Sequence, residues 1–195
     1  MTQGRRGAVR SEAARISILH ATATQFALRG WDHLAIEGIA TEAGVSKQTI
    51  YRWWPSKAGL VADCLLEGLL LPESFVPADT GDLRADLTTW LTTVFEFADE
   101  PRNAVLFRSL VGAAAEDERV GLQLRDALGA SSALQSRLEA ARTLGELAGD
   151  APLRQIADAL VGVIILHVIT RASTEPELPG RLVHAVTGAQ LSRRG

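Results

Sequence analysis

The stretch IEGIATEAGVSKQTIYRWWPSK, residues 36–57, has the residue spacing of two short helices joined by a tight turn. Ala40 is small enough to let the two helices cross closely. Gly44 can adopt the positive φ angle that ends the first helix at no steric cost. Ser46 can then cap the second helix by accepting a backbone N–H hydrogen bond. The inward sides of this predicted helix-turn-helix are formed by Ile39, Ala40, Ala43, Ile50 and Trp53.

The solvent side of the second helix carries side chains that can donate hydrogen bonds, and none of them is acidic. Such a face suits the major groove of DNA. Gln48 can bind adenine through two hydrogen bonds and Lys47 can bind guanine, each distinguishing bases by roughly 1–3 kcal/mol. The alternative is an ordinary solvent-exposed helix face. The candidate DNA-contacting residues of this helix are Lys47, Gln48, Thr49, Tyr51 and Arg52.

Charge is distributed unevenly along the chain, whose net charge is -3. Residues 1–60 carry eight basic and four acidic side chains, and the remainder carries twelve basic and nineteen acidic ones. A basic segment on an acidic body is typical of a nucleic-acid-binding head, although chance variation of surface charge is the alternative. Residues 1–10 are predicted to form a flexible basic arm. Its arginines, which either reach the minor groove and flanking phosphates or form a tail without contacts, are Arg5, Arg6 and Arg10.

The single cysteine, Cys64, excludes an intrachain disulfide and fits a reducing compartment. We expect it to be a core residue. No charged-then-apolar signal peptide is present at the start, and the longest apolar run, residues 159–170, is too short to cross a bilayer. These features predict a cytoplasmic protein without a membrane segment.

Apolar residues recur at helical spacing through the rest of the chain, and no alternation typical of strands is sustained. Ser11 is predicted to begin the first helix and Gly30 to end it. Residues 71–81 contain two prolines and a glycine and should be irregular. Residues 120–144 should form one long helix or a broken pair. We therefore predict an all-α fold of about nine helices.

An ordered set of residues between about positions 15 and 62 resembles the TetR family of bacterial transcription regulators. The set is Ala21, Phe26, Gly30-Trp31, Ile39-Ala40, Ala43-Gly44-Val45-Ser46, Thr49-Ile50-Tyr51, Trp54-Pro55-Ser56-Lys57 and Leu60. The body looks like one subgroup of the family, more loosely, through Leu83-Arg84-Ala85-Asp86-Leu87 and Glu146-Leu147.

The resemblance implies a DNA-binding domain at residues 1–57, formed by the basic arm and a three-helix head, and a ligand-binding and dimerisation domain at residues 58–195. It implies a homodimer that binds a near-palindromic double-stranded DNA operator, commonly as a repressor released by a small effector. Lys47, Gln48 and Thr49 match positions that approach base edges.

Two further residues, Tyr51 and Lys57, match family residues that contact phosphate. Ser56 can cap the helix whose first turn holds Lys57, and at such a helix start charge and backbone N–H groups together attract phosphate. Ala35 departs from the family, which often has threonine there to cap the second helix and contact the DNA backbone. Alanine can do neither, and its loss of a cap costs about 1 kcal/mol.

A ligand pocket between the body helices should be mostly apolar with a few polar groups, which favours a small, largely apolar effector. For each candidate residue the alternative is ordinary core. The four histidines lack metal-ligand spacing, so we expect neither a metal nor a cofactor. The candidate ligand-binding residues are Trp90, Phe107, Arg108, Gln123 and His167.

The last two helices, at about residues 158–171 and 181–192, are apolar on more than one face. Such helices need two partners, and the resemblance implies pairing with the same helices of a second copy, where Gly162 would allow close approach. The alternative is a core helix of a monomer.

Two other functions compete with a ligand-released repressor. The first is an enzyme or pure small-molecule binder that uses the helix-turn-helix as scaffold. No nucleophile–base pair, phosphate-binding loop or pair of carboxylates supports it, and we do not expect an enzyme. The second is a transcriptional activator or an effector-independent DNA-binding protein.

Overall fold

The computed structural model describes residues 3–72, 75–128, 133–171 and 174–191, and within them it contains ten α-helices and no strand. The predicted all-α fold is confirmed. There are ten helices rather than about nine because residues 120–144 form a broken pair, α7 and α8. The helices are α1 (Gln3–His33), α2 (Ile36–Ala43), α3 (Lys47–Trp53), α4 (Lys57–Leu66), α5 (Leu83–Asp99), α6 (Pro101–Glu116), α7 (Glu118–Ala127), α8 (Ala133–Thr143), α9 (Leu153–Thr170) and α10 (Leu178–Leu191).

The start of α1 differs from the prediction, because the helix begins at Gln3 and not at Ser11. Residues 3–10 include glutamine, arginine and alanine, which favour helices, and no proline. The prediction of a flexible arm was therefore wrong for residues 3–10, whereas residues 1–2 lie outside the described part. The DNA contacts predicted for the three arm arginines concern side chains that also lie outside it. Gly30, the predicted end of the helix, instead marks a kink within α1, because its φ of 72° and ψ of -179° are not helical and helical residues resume up to His33.

The chain folds into two compact units. The first is Met1–Pro72 with Ser109–Leu124, and the second is Glu73–Arg108 with Arg125–Gly195. Helices α6 and α7 each contribute residues to both units. The assignment of separate functions to residues 1–57 and 58–195 stays a prediction.

In the first unit, α1 packs against α2 and α4. The core is formed where apolar side chains recur on one face of each helix, and the fully buried ones include Ile18, Phe26, Ile39, Ile50 and Leu60.

In the second unit, α5 packs against α9 and α10, and α8 packs against α9. The ring of Phe75 meets Phe97 edge-on at 5.2 Å and stacks on Phe107 at 6.3 Å. Trp90 Nε1 donates a hydrogen bond of 2.9 Å to the carbonyl of Phe75. This bond joins the irregular segment before α5 to the helix itself.

A group of charged side chains also holds the second unit together. Asp86 on α5 accepts hydrogen bonds from the Thr80 hydroxyl at 2.6 Å and from Arg137 on α8. Glu146 accepts from Arg137 and, at 2.9 Å, from the backbone N–H of Leu83. The two short motifs that resemble a family subgroup are therefore joined in space through one arginine.

By length and composition alone, helix α9 is long and apolar enough to cross a membrane. Of its residues, 33% are buried inside the protein. The sequence-based estimate of residues 159–170 was shorter because it counted only the continuous apolar run, whereas the helix begins at Leu153 and includes Arg154 and Asp158. A core helix of a water-exposed protein passes the same test, so this property does not identify a membrane segment.

Candidate nucleic-acid interface

The backbone around α3 has the predicted geometry. Gly44 has φ 66° and ψ 33°, in the left-handed region that favours glycine. Ser46 Oγ accepts a hydrogen bond of 3.2 Å from the backbone N–H of Thr49, which confirms it as the cap of α3. Ile50 is fully buried. The cap and the buried isoleucine together fix which side of α3 faces solvent.

The solvent face of α3 presents the predicted side chains. Gln48 and Arg52 are exposed, and Tyr51 is 51% exposed. In the described part of the chain neither Gln48 nor Arg52 makes a side-chain hydrogen bond or ion pair. Thr49 is half-buried, and its hydroxyl lies 3.0 Å from Ser46 Oγ. The face can therefore donate hydrogen bonds to DNA without first breaking internal ones, except at Lys47 and Thr49.

Lys47 pairs with Glu37 on α2, with Nζ 2.8 Å from Oε1. The hydrogen bond from Lys47 lowers the pKa of Glu37. Both side chains are exposed, so solvent screens the pair and a phosphate or a base edge can replace Glu37 as acceptor. Sequence reasoning missed this pair because the two residues are ten positions apart on different helices.

The start of α2 lacks a side-chain cap, as predicted. Ala35 occupies the cap position with extended backbone angles, φ -125° and ψ 136°, and no side chain accepts a hydrogen bond there. The first backbone N–H groups of α2 are therefore left without a protein side-chain acceptor at this position.

Lys57 has partners that the sequence did not predict. Its Nζ donates a hydrogen bond of 3.0 Å to the carbonyl of Trp31 and lies 4.1 Å from the centre of the Trp31 ring. Ser56 Oγ caps α4 by accepting from the backbone N–H of Gly59 at 3.2 Å. Because an ammonium group has three donors, Lys57 keeps donors for a phosphate while it holds Trp31. Its predicted phosphate contact stays a prediction.

The two tryptophans at the end of α3 differ in burial. Trp54 is 2% exposed and belongs to the core, and its Nε1 donates to Asp63 Oδ2 at 2.7 Å. Asp63 also pairs with Arg119 at 2.5 Å. Trp53 is 37% exposed, and its ring centre lies 6.1 Å from that of Trp54. The prediction that Trp53 lies on the inward side was therefore wrong: it is the last residue of α3 and lies at the edge of the solvent face.

The candidate ligand residues are not all in one place. Trp90 and Phe107 are core residues of the second unit, and Gln123 is a half-buried residue of the first. Arg108 and His167 both line a cavity of about 320 Å³ in the second unit. The ligand-binding role of all five stays a prediction.

His167 is a hydrogen-bonded, buried histidine, as expected for a core residue. Its Nε2 lies 2.7 Å from Asp99 Oδ1 and 3.3 Å from the Thr174 hydroxyl, and its ring stacks on Phe95 at 4.5 Å. Burial opposes ionisation of Asp99, but hydrogen bonds from Thr174 and His167 outweigh it and lower the Asp99 pKa. Sequence reasoning missed Asp99 because it is 68 residues from His167.

Cys64 is fully buried, and its Sγ donates to the carbonyl of Leu19 at 3.4 Å. Burial raises the pKa of this thiol to about 12. The prediction of a core cysteine is confirmed. Among the described residues, no group of three or more His, Cys, Asp or Glu side chains could hold a metal ion.

Two family models match the chain over its two halves. The model described as "Bacterial regulatory proteins, tetR family" matches residues 18–64. The model described as "Tetracyclin repressor-like, C-terminal domain" matches residues 77–186. The first match contains α2, α3 and most of α4, and the second contains the residues that line the cavity.

Similar proteins match over most of the chain. A "DNA-binding transcriptional repressor TetR" of Mycobacteroides abscessus is 30% identical over 186 residues, which covers 93% of each chain. An uncharacterized HTH-type regulator, YdeS of Bacillus subtilis, is 29% identical and covers 86% of this chain and 84% of the relative. The solved structure of the TetR family transcription regulator SCO0332 is 29% identical, with a TM-score of 0.66, and covers 88% of this chain and 94% of that one. Salmonella enterica GusR, at 19% identity, shares the fold with a TM-score of 0.66 over 90% of this chain and 95% of its own.

Proposed function

This chain belongs to the TetR family and is a helix-turn-helix transcriptional regulator, and we propose that it is a cytoplasmic repressor which a small ligand releases from DNA. The single observation that carries DNA binding is the exposed, acid-free face of α3, held outward by the Ser46 cap and the buried Ile50. The relative described as a DNA-binding transcriptional repressor supports repression rather than activation.

On DNA, the two recognition helices of a homodimer would enter successive major grooves about 34–36 Å apart on a near-palindromic operator. Gln48 and Lys47 would contact base edges, with Thr49 beside them. Phosphates would be bound by Tyr51 and Lys57, and Arg52 would contact either a phosphate or a base.

Homodimer formation is supported by an apolar stripe on α9. Leu166 is 59% exposed and Ile169 is 55% exposed. Gly162 lies on the same side, and a Cβ added to it would meet nothing within 4 Å. Because large exposed apolar side chains are unfavourable in water, a second copy of the chain that covers this stripe would stabilise both.

Release would follow if a ligand bound in the second unit favours a distance between the two DNA-binding heads of the dimer that does not fit the operator. Helix α6 supports this coupling, because its first half belongs to the second unit and its second half to the first. Arg108 lies in the first half, whereas Glu116 in the second half accepts a 2.8 Å hydrogen bond from Trp31 Nε1.

The test begins with genomic DNA fragments that the full-length protein retains. A reporter gene placed behind a retained fragment should be expressed less when the protein is present. Increased expression would favour the activator, and retention of no specific fragment would refute a sequence-specific regulator. In sedimentation velocity, Leu166→Glu should convert a dimer to monomers, while the exposed control Leu122→Glu should not.

A further inference from the structure

The cavity of about 320 Å³ in the second unit is formed where three helices bring their ends together. It is lined by the end of α5, the first half of α6 and the end of α9. Its volume is near the lower limit of ligand sites, roughly 300–1,000 Å³, which suits a single-ring or short-chain molecule. The lining residues are Ala98, Asp99, Ala104, Arg108, His167, Val168 and Arg171.

The charged groups of this cavity are not balanced. Within the described residues, neither Arg108 nor Arg171 makes an ion pair or a side-chain hydrogen bond. The acidic lining residue, Asp99, is already held by His167 at 2.7 Å and by Thr174. Two arginines without ion-pair partners therefore line the cavity, against one carboxylate that already has other partners.

Arg171 has a backbone conformation that calls for explanation. It caps the end of α9 with φ 54° and ψ 35°, and it is the one residue other than glycine with positive φ in the described chain. Glycine is the usual residue at such a helix end because it has no Cβ. A non-glycine residue held in this region is found preferentially at ligand sites. Here the strained residue places an arginine side chain on the cavity wall.

We propose that this cavity binds a small organic monocarboxylate, with Arg108 and Arg171 binding the carboxylate. Arginine binds carboxylates through paired, charge-assisted hydrogen bonds, which lysine and neutral side chains do not reproduce. Ala98, Ala104 and Val168 contact the apolar body of the ligand. The proposal rests on the proposed function, since it names the class of ligand that releases the regulator. It replaces the largely apolar effector expected from the sequence with an anionic one.

The test uses calorimetric titration of the full-length protein with three carboxylates, benzoate, cyclohexanecarboxylate and hexanoate, and with their uncharged primary amides. At least one acid should bind, and its amide should bind about tenfold more weakly or worse, a difference of about 1.4 kcal/mol. Arg108→Gln and Arg171→Gln should each weaken the acid by a similar factor. The matched control is Arg102→Gln, an exposed arginine at the start of the same helix α6 that does not line the cavity.

Three results would overturn the proposal: no heat from any acid, equal affinity for acids and amides, or equal weakening by Arg102→Gln and Arg108→Gln. If Arg108→Gln unfolds, Arg108→Lys keeps the charge but not the paired hydrogen bonds, and it should bind the acid with intermediate affinity. Gel shifts of the wild-type protein on its retained fragments separate the two hypotheses. Acid binding that leaves the DNA complex intact refutes ligand release alone, whereas specific DNA binding with no acid binding refutes the carboxylate site alone.

Discussion

Arg137 and Asp86 form an ion pair inside the second unit, with Nε 2.7 Å from Oδ2 and side chains that are 2% and 3% exposed. Burial alone would raise the pKa of Asp86, but hydrogen bonds from Thr80 and Arg137 outweigh it and lower that pKa. Glu146 approaches the same arginine at 3.3 Å. The pair therefore fixes α5, α8 and the segment after α8 to one another.

Arg137→Met should lower the free energy of unfolding by about 3–5 kcal/mol, because it leaves the carboxylates of Asp79, Asp86 and Glu146 beside a position without a cation. The control is Arg142→Met on the same helix, where the exposed pair with Glu139 contributes roughly 0–1 kcal/mol. Urea unfolding followed by circular dichroism, at one fixed protein concentration, measures both. Equal losses in the two variants would contradict a special role for the buried pair.

The stability contributed by ionised Asp86 should depend on pH. Its folded pKa lies below the unfolded value of roughly 3.9, so the contribution is fully present above that value and is lost as pH falls through the folded pKa. The difference in unfolding free energy between wild type and Asp86→Asn should be constant above about pH 5 and shrink below about pH 4. Urea titrations between these values measure it. A difference that stays constant down to pH 3 would be inconsistent with the lowered pKa.

Ala35→Thr should stabilise the protein by about 1 kcal/mol, because threonine supplies the acceptor missing at the start of α2. It should also tighten operator binding, since the added hydroxyl can contact the DNA backbone. Ala35→Val is the matched control, with the same shape and no acceptor. Thermal unfolding and gel shifts measure the two effects, and equal gains in both variants would exclude capping as the cause.

Lys57→Ala should weaken binding to all DNA sequences alike and reduce the slope of log affinity against log salt by about one unit. It should also destabilise the fold by roughly 0.5–1 kcal/mol, because the contact of the ammonium group with the Trp31 ring is lost. Fluorescence anisotropy at several salt concentrations measures the slope. An unchanged slope would mean that Lys57 binds only Trp31.

Gln48→Ala should relax base preference at one operator position by about 1–3 kcal/mol and leave the salt slope unchanged. The glutamine is exposed and free to bind a base edge, unlike Lys47, which must first leave Glu37. Competition gel shifts with single-base operator variants measure the preference. Unchanged affinity and preference would exclude Gln48 from base recognition.

The parts of the fold that the sequence predicted depend on neighbours a few residues apart. Gly44, Ser46 and Ser56 act on backbone groups within three or four positions, so their roles could be inferred from spacing. The contacts of Lys57 with Trp31 and of Asp99 with His167 join residues 26 and 68 positions apart. No periodic pattern encodes such pairs, because they depend on how separate helices pack.

The difference in burial among the four tryptophans gives the protein an optical property. Trp31, Trp54 and Trp90 are between 2% and 6% exposed, whereas Trp53, next to the recognition face, is 37% exposed. A water-exposed indole emits at longer wavelengths than a buried one, so excitation at the red edge of the absorption band selects Trp53. In the proposed complex DNA would cover α3 and change the emission of Trp53, so the unlabelled protein would serve as a fluorescent sensor of operator binding.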